Sequence, residues 1–286
     1  MDLVLPFVAG LLIMLTSLVG VVFTNKAFGE WLNRNLSLLV SVAAGTFAFL
    51  VYNLSTESVE LLGSQTALLI IFGSFIISWV GFKQVPFFHH HHSNESDHKH
   101  SPAEGRKILL ADAVHNIGDG IILVAAFGVS PALGLVTAVG IFLHEFVQEI
   151  SEYFVLRQAG YTNQQALARN FAVSTTILVG IVVALTLSQL MVDAYLLAIT
   201  AGLFLTIILQ DLLPDTIEEA RAPGKQLPYI AAFIIGLGVM FGLSQAAGHT
   251  HVHGDEHHNG HHHHNEEHEE HEEHEEHEEH EEHLGS

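Results

Sequence analysis

Two short strings concentrate the chemistry of this chain: His115-Asn116-Ile117-Gly118-Asp119-Gly120 and His144-Glu145-Phe146-Val147-Gln148-Glu149. Each lies within a stretch long and apolar enough to cross a bilayer. An Asp at the centre of such a helix costs roughly 2.5–3.5 kcal/mol on insertion scales, so something must offset it. An imidazole and a carboxylate one turn apart are ligands for a first-row divalent metal. His115 and Asp119 are four apart and share a helix face; Asn116 lies about 100° round, and Asp112 stands one turn below. In the second string His144 and Gln148 share a face that Glu152 continues, while Glu145 and Glu149 form a neighbouring row. Together the two strings offer a nitrogen-plus-oxygen shell suited to Zn²⁺ and compatible with Fe²⁺ or Mn²⁺.

Blander readings exist for each part. A lone membrane histidine often only hydrogen-bonds a neighbouring helix, and Gly118, Gly120 and Gly128 suit close helix packing. Two histidines with several carboxylates and amides on successive helices exceed what helix adhesion needs. An intramembrane zinc protease would want His-Glu-x-x-His; here the fifth position is Gln148, a poor zinc ligand, so no enzyme is expected. The chain has no cysteine, which excludes disulfides and thiolate ligands.

The elements that must position these groups follow from hydropathy. Over 286 residues the mean hydropathy is +0.36 and only 14% of residues are charged, an integral membrane composition. The net charge of -21 misleads, because 14 of the 31 acids follow Gly248. This acidity argues against nucleic acid as a partner. Apolar segments lie near 3–23, 36–56, 66–82, 108–128, 133–156, 170–190, 194–213 and 228–247. They predict an all-α integral membrane protein, an eight-helix bundle over 1–248. The first segment lacks a basic flank and a cleavage site, so it is expected to be a mature helix. All ten basic residues fall after helices 1, 3, 5 and 7: Lys26 and Arg34; Lys83, Lys99, Arg106 and Lys107; Arg157 and Arg169; Arg221 and Lys225. The positive-inside rule makes those loops cytoplasmic and puts both termini outside. The His-rich loop 86–105 is then cytoplasmic, and the His/Glu-rich tail 249–286 extracytoplasmic; their composition predicts disorder.

The string HNIGDG at 115–120, HEFVQEISEYF at 144–154, and Asp211-Leu212-Leu213-Pro214-Asp215 resemble the ZIP family of divalent metal transporters. The likeness is closest to the branch with HNxxDG on helix 4 and HExPHExGDF on helix 5. It implies a paired metal site: one ion on His115, Asp119, His144 and position 148, the other on Asn116, Glu145 and position 148 as a bridge. Gln148 stands where the family usually has His or Glu. A neutral amide cannot neutralise a second dication, so one tightly held ion is expected. Val147 replaces the family's helix 5 proline, which predicts a straighter helix. Asn53 and Glu57 fit the spacing of a family His and Glu pair on helix 2. Asp112, Glu149, Glu152, Asp211 and Asp215 complete the accessory candidates.

The function expected is transport of a divalent cation, Zn²⁺ first, toward the cytoplasm by alternating access, with no organic cofactor. The expected partners are the lipid bilayer and the metal ion, and a homodimer is left open. A membrane-anchored metal buffer or sensor is the alternative. An exporter of the cation diffusion facilitator type would normally show six helices with His-x-x-x-Asp pairs on helices 2 and 5. Here only helix 4 supplies one, His115 to Asp119.

Overall fold

The computed structural model describes residues 4–24, 26–84, 102–187 and 190–249. Eight of its helices are long and apolar enough to cross a membrane, and no strand occurs among the described residues. Helix α1 runs Val4–Met14 and tightens into a 3-10 segment, Leu15–Thr24. Then come α2 (Lys26–Leu62), α3 (Ser64–Gln84), α4 (Pro102–Val129) and α5 (Pro131–Gln158). Helix α6 comprises Asn163–Ser174 and Thr176–Leu187, joined at Thr175. Helix α7 comprises Leu190–Ile207, a wide turn at Ile208–Leu212, and Leu213–Ala220; α8 is Gln226–His249.

All eight predicted segments are helices, but several are longer than their apolar cores. Helix α2 begins ten residues before 36, because its first turns carry Glu30 and Arg34 and hydropathy marks only the apolar part. Helix α4 begins at Pro102, so residues 102–105 of the predicted loop are helical. The rest of that loop, from 86 to 101, and the tail from 250 lie outside the described residues. Helix α5 runs unbroken through Val147.

The connections are short and chemically specified. Ser130 alone separates α4 from α5; its hydroxyl accepts the Leu133 N–H at 3.1 Å, and Pro131 fills the first helical position. Thr162 and Gln165 form a reciprocal capping box at the start of α6. Gly63 links α2 to α3 at φ 80°, a left-handed conformation that glycine takes without steric cost.

The helices pack as two groups. Helices α1, α4, α5 and α6 contact one another; in the second group α2 and α7 contact each other, and each packs against both α3 and α8. Within the first group α4 and α6 cross backbone to backbone: a Cβ on Gly120 would strike the Ile177 carbonyl, and one on Gly180 the Ile117 carbonyl. Thr176 Oγ1 also donates to the Ala113 carbonyl at 3.0 Å. In the second group Ser41 donates to the Tyr229 carbonyl at 2.8 Å, and Ser78 and Thr206 share a 2.5 Å hydrogen bond. The groups meet chiefly through α4 on α7 and α2 on α5.

Candidate metal centre

His115 is the fourteenth of 28 residues in α4, and His144 the fourteenth of 28 in α5. The helices run antiparallel from the Ser130 turn, so both imidazoles lie about 21 Å from it, at one depth. His115 Nε2 is 3.4 Å from Glu145 Oε1 and 3.8 Å from Asp119 Oδ2. The two imidazole rings stand 5.5 Å apart, edge to face. One ligand atom each from His115, His144 and Glu145 lie within 4.8 Å of one another. A tetrahedral ion with bonds near 2.0–2.1 Å would set its ligands about 3.3 Å apart, so small rotations suffice.

The donor set fits a cation. His115 Nε2, His144 Nδ1, Asp119 Oδ2 and Glu145 Oε1 are buried without a hydrogen-bond partner. Each such atom costs about 1–3 kcal/mol unless something else occupies it. His144, Glu145 and Asp119 are nearly inaccessible, and His115 stands between the Glu145 and Asp119 carboxylates. From the other helix group Phe47 packs on His144 with centroids 4.5 Å apart, and Phe204 packs on Phe47 at the same distance. The cluster therefore sits where the two groups meet.

The remaining candidates separate. Asn116 and Gln148 both donate to Asp112 Oδ1, at 2.8 and 2.7 Å, and Gln148 reaches Glu152 Oε1 at 3.3 Å. Glu149 faces α6, where its carboxylate accepts from Ser174 and its carbonyl from Asn170 at 3.3 Å. Asn53 and Glu57 are half-buried on α2, about 9 and 15 Å along the helix from Phe47. Asp211 lies in the wide turn of α7. Pro214 cannot donate to the Gln210 carbonyl and its ring crowds it, so the turn opens and Leu213 N–H reaches back to the Ile208 carbonyl. Asp215 lines a pocket with Ser37, Val40, Glu218 and Glu219.

Sequence reasoning missed Phe47 and Phe204, which carry no signal in an apolar run. It also missed Asn170 and Ser174, a buried i, i+4 polar pair within α6 that spacing could have flagged. Asp193 is a further buried acid, packed where a side chain on Gly128 would sit.

Comparison with known proteins decides the family. The model of the ZIP zinc transporter family matches residues 88–244, more than half of the chain. The chain belongs to the ZIP zinc transporter family. Human zinc transporter ZIP4 is 36% identical over 136 residues, 47% of this chain and 20% of that protein. The Drosophila melanogaster zinc transporter foi is 30% identical over 169 residues, covering 52% and 24%. The Bos taurus metal cation symporter ZIP14 is 31% identical over 149 residues, covering 50% and 30%. The chain thus spans less than a third of the length of each of these ZIP relatives. The family match takes in α4 to α7 and most of α8, and so the whole candidate centre except Phe47.

Proposed function

We propose that this ZIP protein carries a divalent cation, Zn²⁺ in the first place, across the membrane toward the cytoplasm. The observation that supports this most is the convergence at mid-depth of three ligand atoms, from His115, His144 and Glu145, with Asp119 beside His115 and all four ligand atoms buried without a hydrogen-bond partner. A dication cannot enter hydrocarbon bare. His115, Asp119, His144 and Glu145 replace its water, with the amide oxygens of Asn116 and Gln148 beside them. Binding stays weak enough for release. The relatives are named as transporters and a symporter, which supports transport over an enzymatic role.

Alternating access is the mechanism this arrangement suits, because the centre lies between two helix groups and Phe47 covers His144 from the opposing one. No Gly-x-x-x-x-Gly-Lys-Ser/Thr string occurs in the sequence, so the ion gradient and potential would drive the flux. An inside-negative potential favours inward movement of a dication by about 4.6 kcal/mol at 100 mV. The distribution of the ten basic residues places both termini outside under this reading. The test is uptake of Zn²⁺, Fe²⁺ and Mn²⁺ into proteoliposomes, with His144→Ala as control. Saturable Zn²⁺ flux that the control lacks supports the proposal. Binding without flux would favour a metal buffer instead.

A further inference from the structure

We propose that Asp112 is a positioning residue: it holds the amides of Asn116 and Gln148 so that their oxygens, not their nitrogens, meet the transported cation. The inference rests on the reading that the His115–His144–Glu145 centre takes a cation. An amide is two-faced, with a carbonyl that accepts and an NH₂ that donates. Only the carbonyl end can ligate a metal. A half-turn of either side chain would aim hydrogens at a dication, so something must choose the face.

Asp112 makes that choice by geometry. Its Oδ1 accepts from Asn116 Nδ2 at 2.8 Å and from Gln148 Nε2 at 2.7 Å. Asn116 Nδ2 also donates to the Asp112 carbonyl at 3.1 Å, and Gln148 Nε2 to Glu152 Oε1 at 3.3 Å. Each NH₂ is thereby held by two oxygens. Asp112 is 2% exposed and Asn116 0%, so water does not compete for the Asn116 donor; Gln148 is partly buried. The other end of the Asn116 amide, Oδ1, is buried and has no hydrogen-bond partner, the same condition as the ligand atoms of the centre. Gln148 Nε2 is held by Asp112 and Glu152, which fixes the nitrogen end of its amide and turns the carbonyl away from both carboxylates.

The spacing makes this local. Asp112 and Asn116 are one turn apart on α4, and Gln148 is one turn from His144 on α5. Asp112 is not among the residues whose ligand atoms converge, so it acts through the amides. A donor at position 148 is also what Asp112 and Glu152 require: a carboxylate there would face both of them with nothing to share.

The test uses the full chain in proteoliposomes with Zn²⁺ as probe and initial uptake rates as readout. Asp112→Asn keeps the shape but can donate or accept, so it no longer selects the amide face. Its KM for Zn²⁺ should rise about 10–100-fold, the range for groups that orient metal ligands. The exchange Asp112→Asn with Gln148→Glu restores a donor–acceptor pair in reverse and gives position 148 an oxygen at both ends. Its KM should fall back from that of Asp112→Asn toward wild type, short of full recovery because Glu152 then faces a carboxylate. Thermal unfolding in detergent checks that both variants fold. If Asp112→Asn alone does not fold, the exchanged pair carries the test. An unchanged KM in Asp112→Asn, or an exchanged pair no better than His144→Ala, would overturn the proposal. Loss of Zn²⁺ uptake by the wild type would instead strike the transport reading itself.

Discussion

Glu145→Gln isolates charge from shape at the centre. The substitution keeps an oxygen on the same side-chain frame but removes one negative charge from a position 3.4 Å from His115 Nε2. A dication ligated there would lie about 3 Å from the carboxylate's centre of charge. At an effective dielectric of 20 that attraction is about 11 kcal/mol. Most of it is offset by the cost of stripping water from the carboxylate, several kcal/mol per ion, and by the amide dipole that remains. A net loss of about 4 kcal/mol is expected, which is roughly a thousandfold in affinity. Thermal unfolding in detergent reads it directly. At free Zn²⁺ a thousand times the wild-type Kd, binding stabilises the wild type by about 4.1 kcal/mol and the variant by about 0.4. Both proteins are compared without residues 249–286, so tail histidines do not enter the shift. A variant that keeps the wild-type zinc-induced shift would show that Glu145 is not a ligand and that the buried Glu145–His115 contact is purely structural.

Other perturbations have equally definite signs. His115→Ala and His144→Ala should each abolish Zn²⁺ uptake while the protein remains folded and membrane-inserted, as flux and detergent melting would record. Removing residues 249–286 should lower uptake at scarce Zn²⁺ and leave the maximal rate unchanged. With the tail present, capture at scarce metal should weaken as the outer pH falls through about 6.5, where free histidines protonate. Gly120→Val should cost about 3 kcal/mol or prevent folding, since its side chain would meet the backbone of α6. Gly118→Ala, two residues away with no neighbouring atom within 4 Å, should be neutral or stabilising by up to about 1 kcal/mol. The ratio of folded material recovered from these two variants checks the packing argument.

The sequence by itself determined the membrane class, the number of spanning helices and which helices carry the candidate ligands. Each is a local property. Apolar runs of bilayer length are visible residue by residue, and a four-residue spacing puts His115 over Asp119 on any helix. Ser130-Pro131 and Thr162-x-x-Gln165 cap α5 and α6, whereas the apolar segments put the two starts near 133 and 170, because hydropathy does not register the polar first turns of α6. Helix lengths were less legible, as at α2 and α4, whose polar first turns extend the helix beyond its apolar core. Tertiary structure alone decided which polar groups serve one another. Asp112, Glu149 and Glu152 look alike in sequence, three acids within a turn or two of the histidines. In the fold Asp112 gathers two amides, Glu152 shares one of them, and Glu149 turns to Ser174 on α6. Phe47 and Phe204 reach the centre from helices whose sequences give no hint of it. These partners are distant in the chain, and only the packing of one helix group on the other sets their distances.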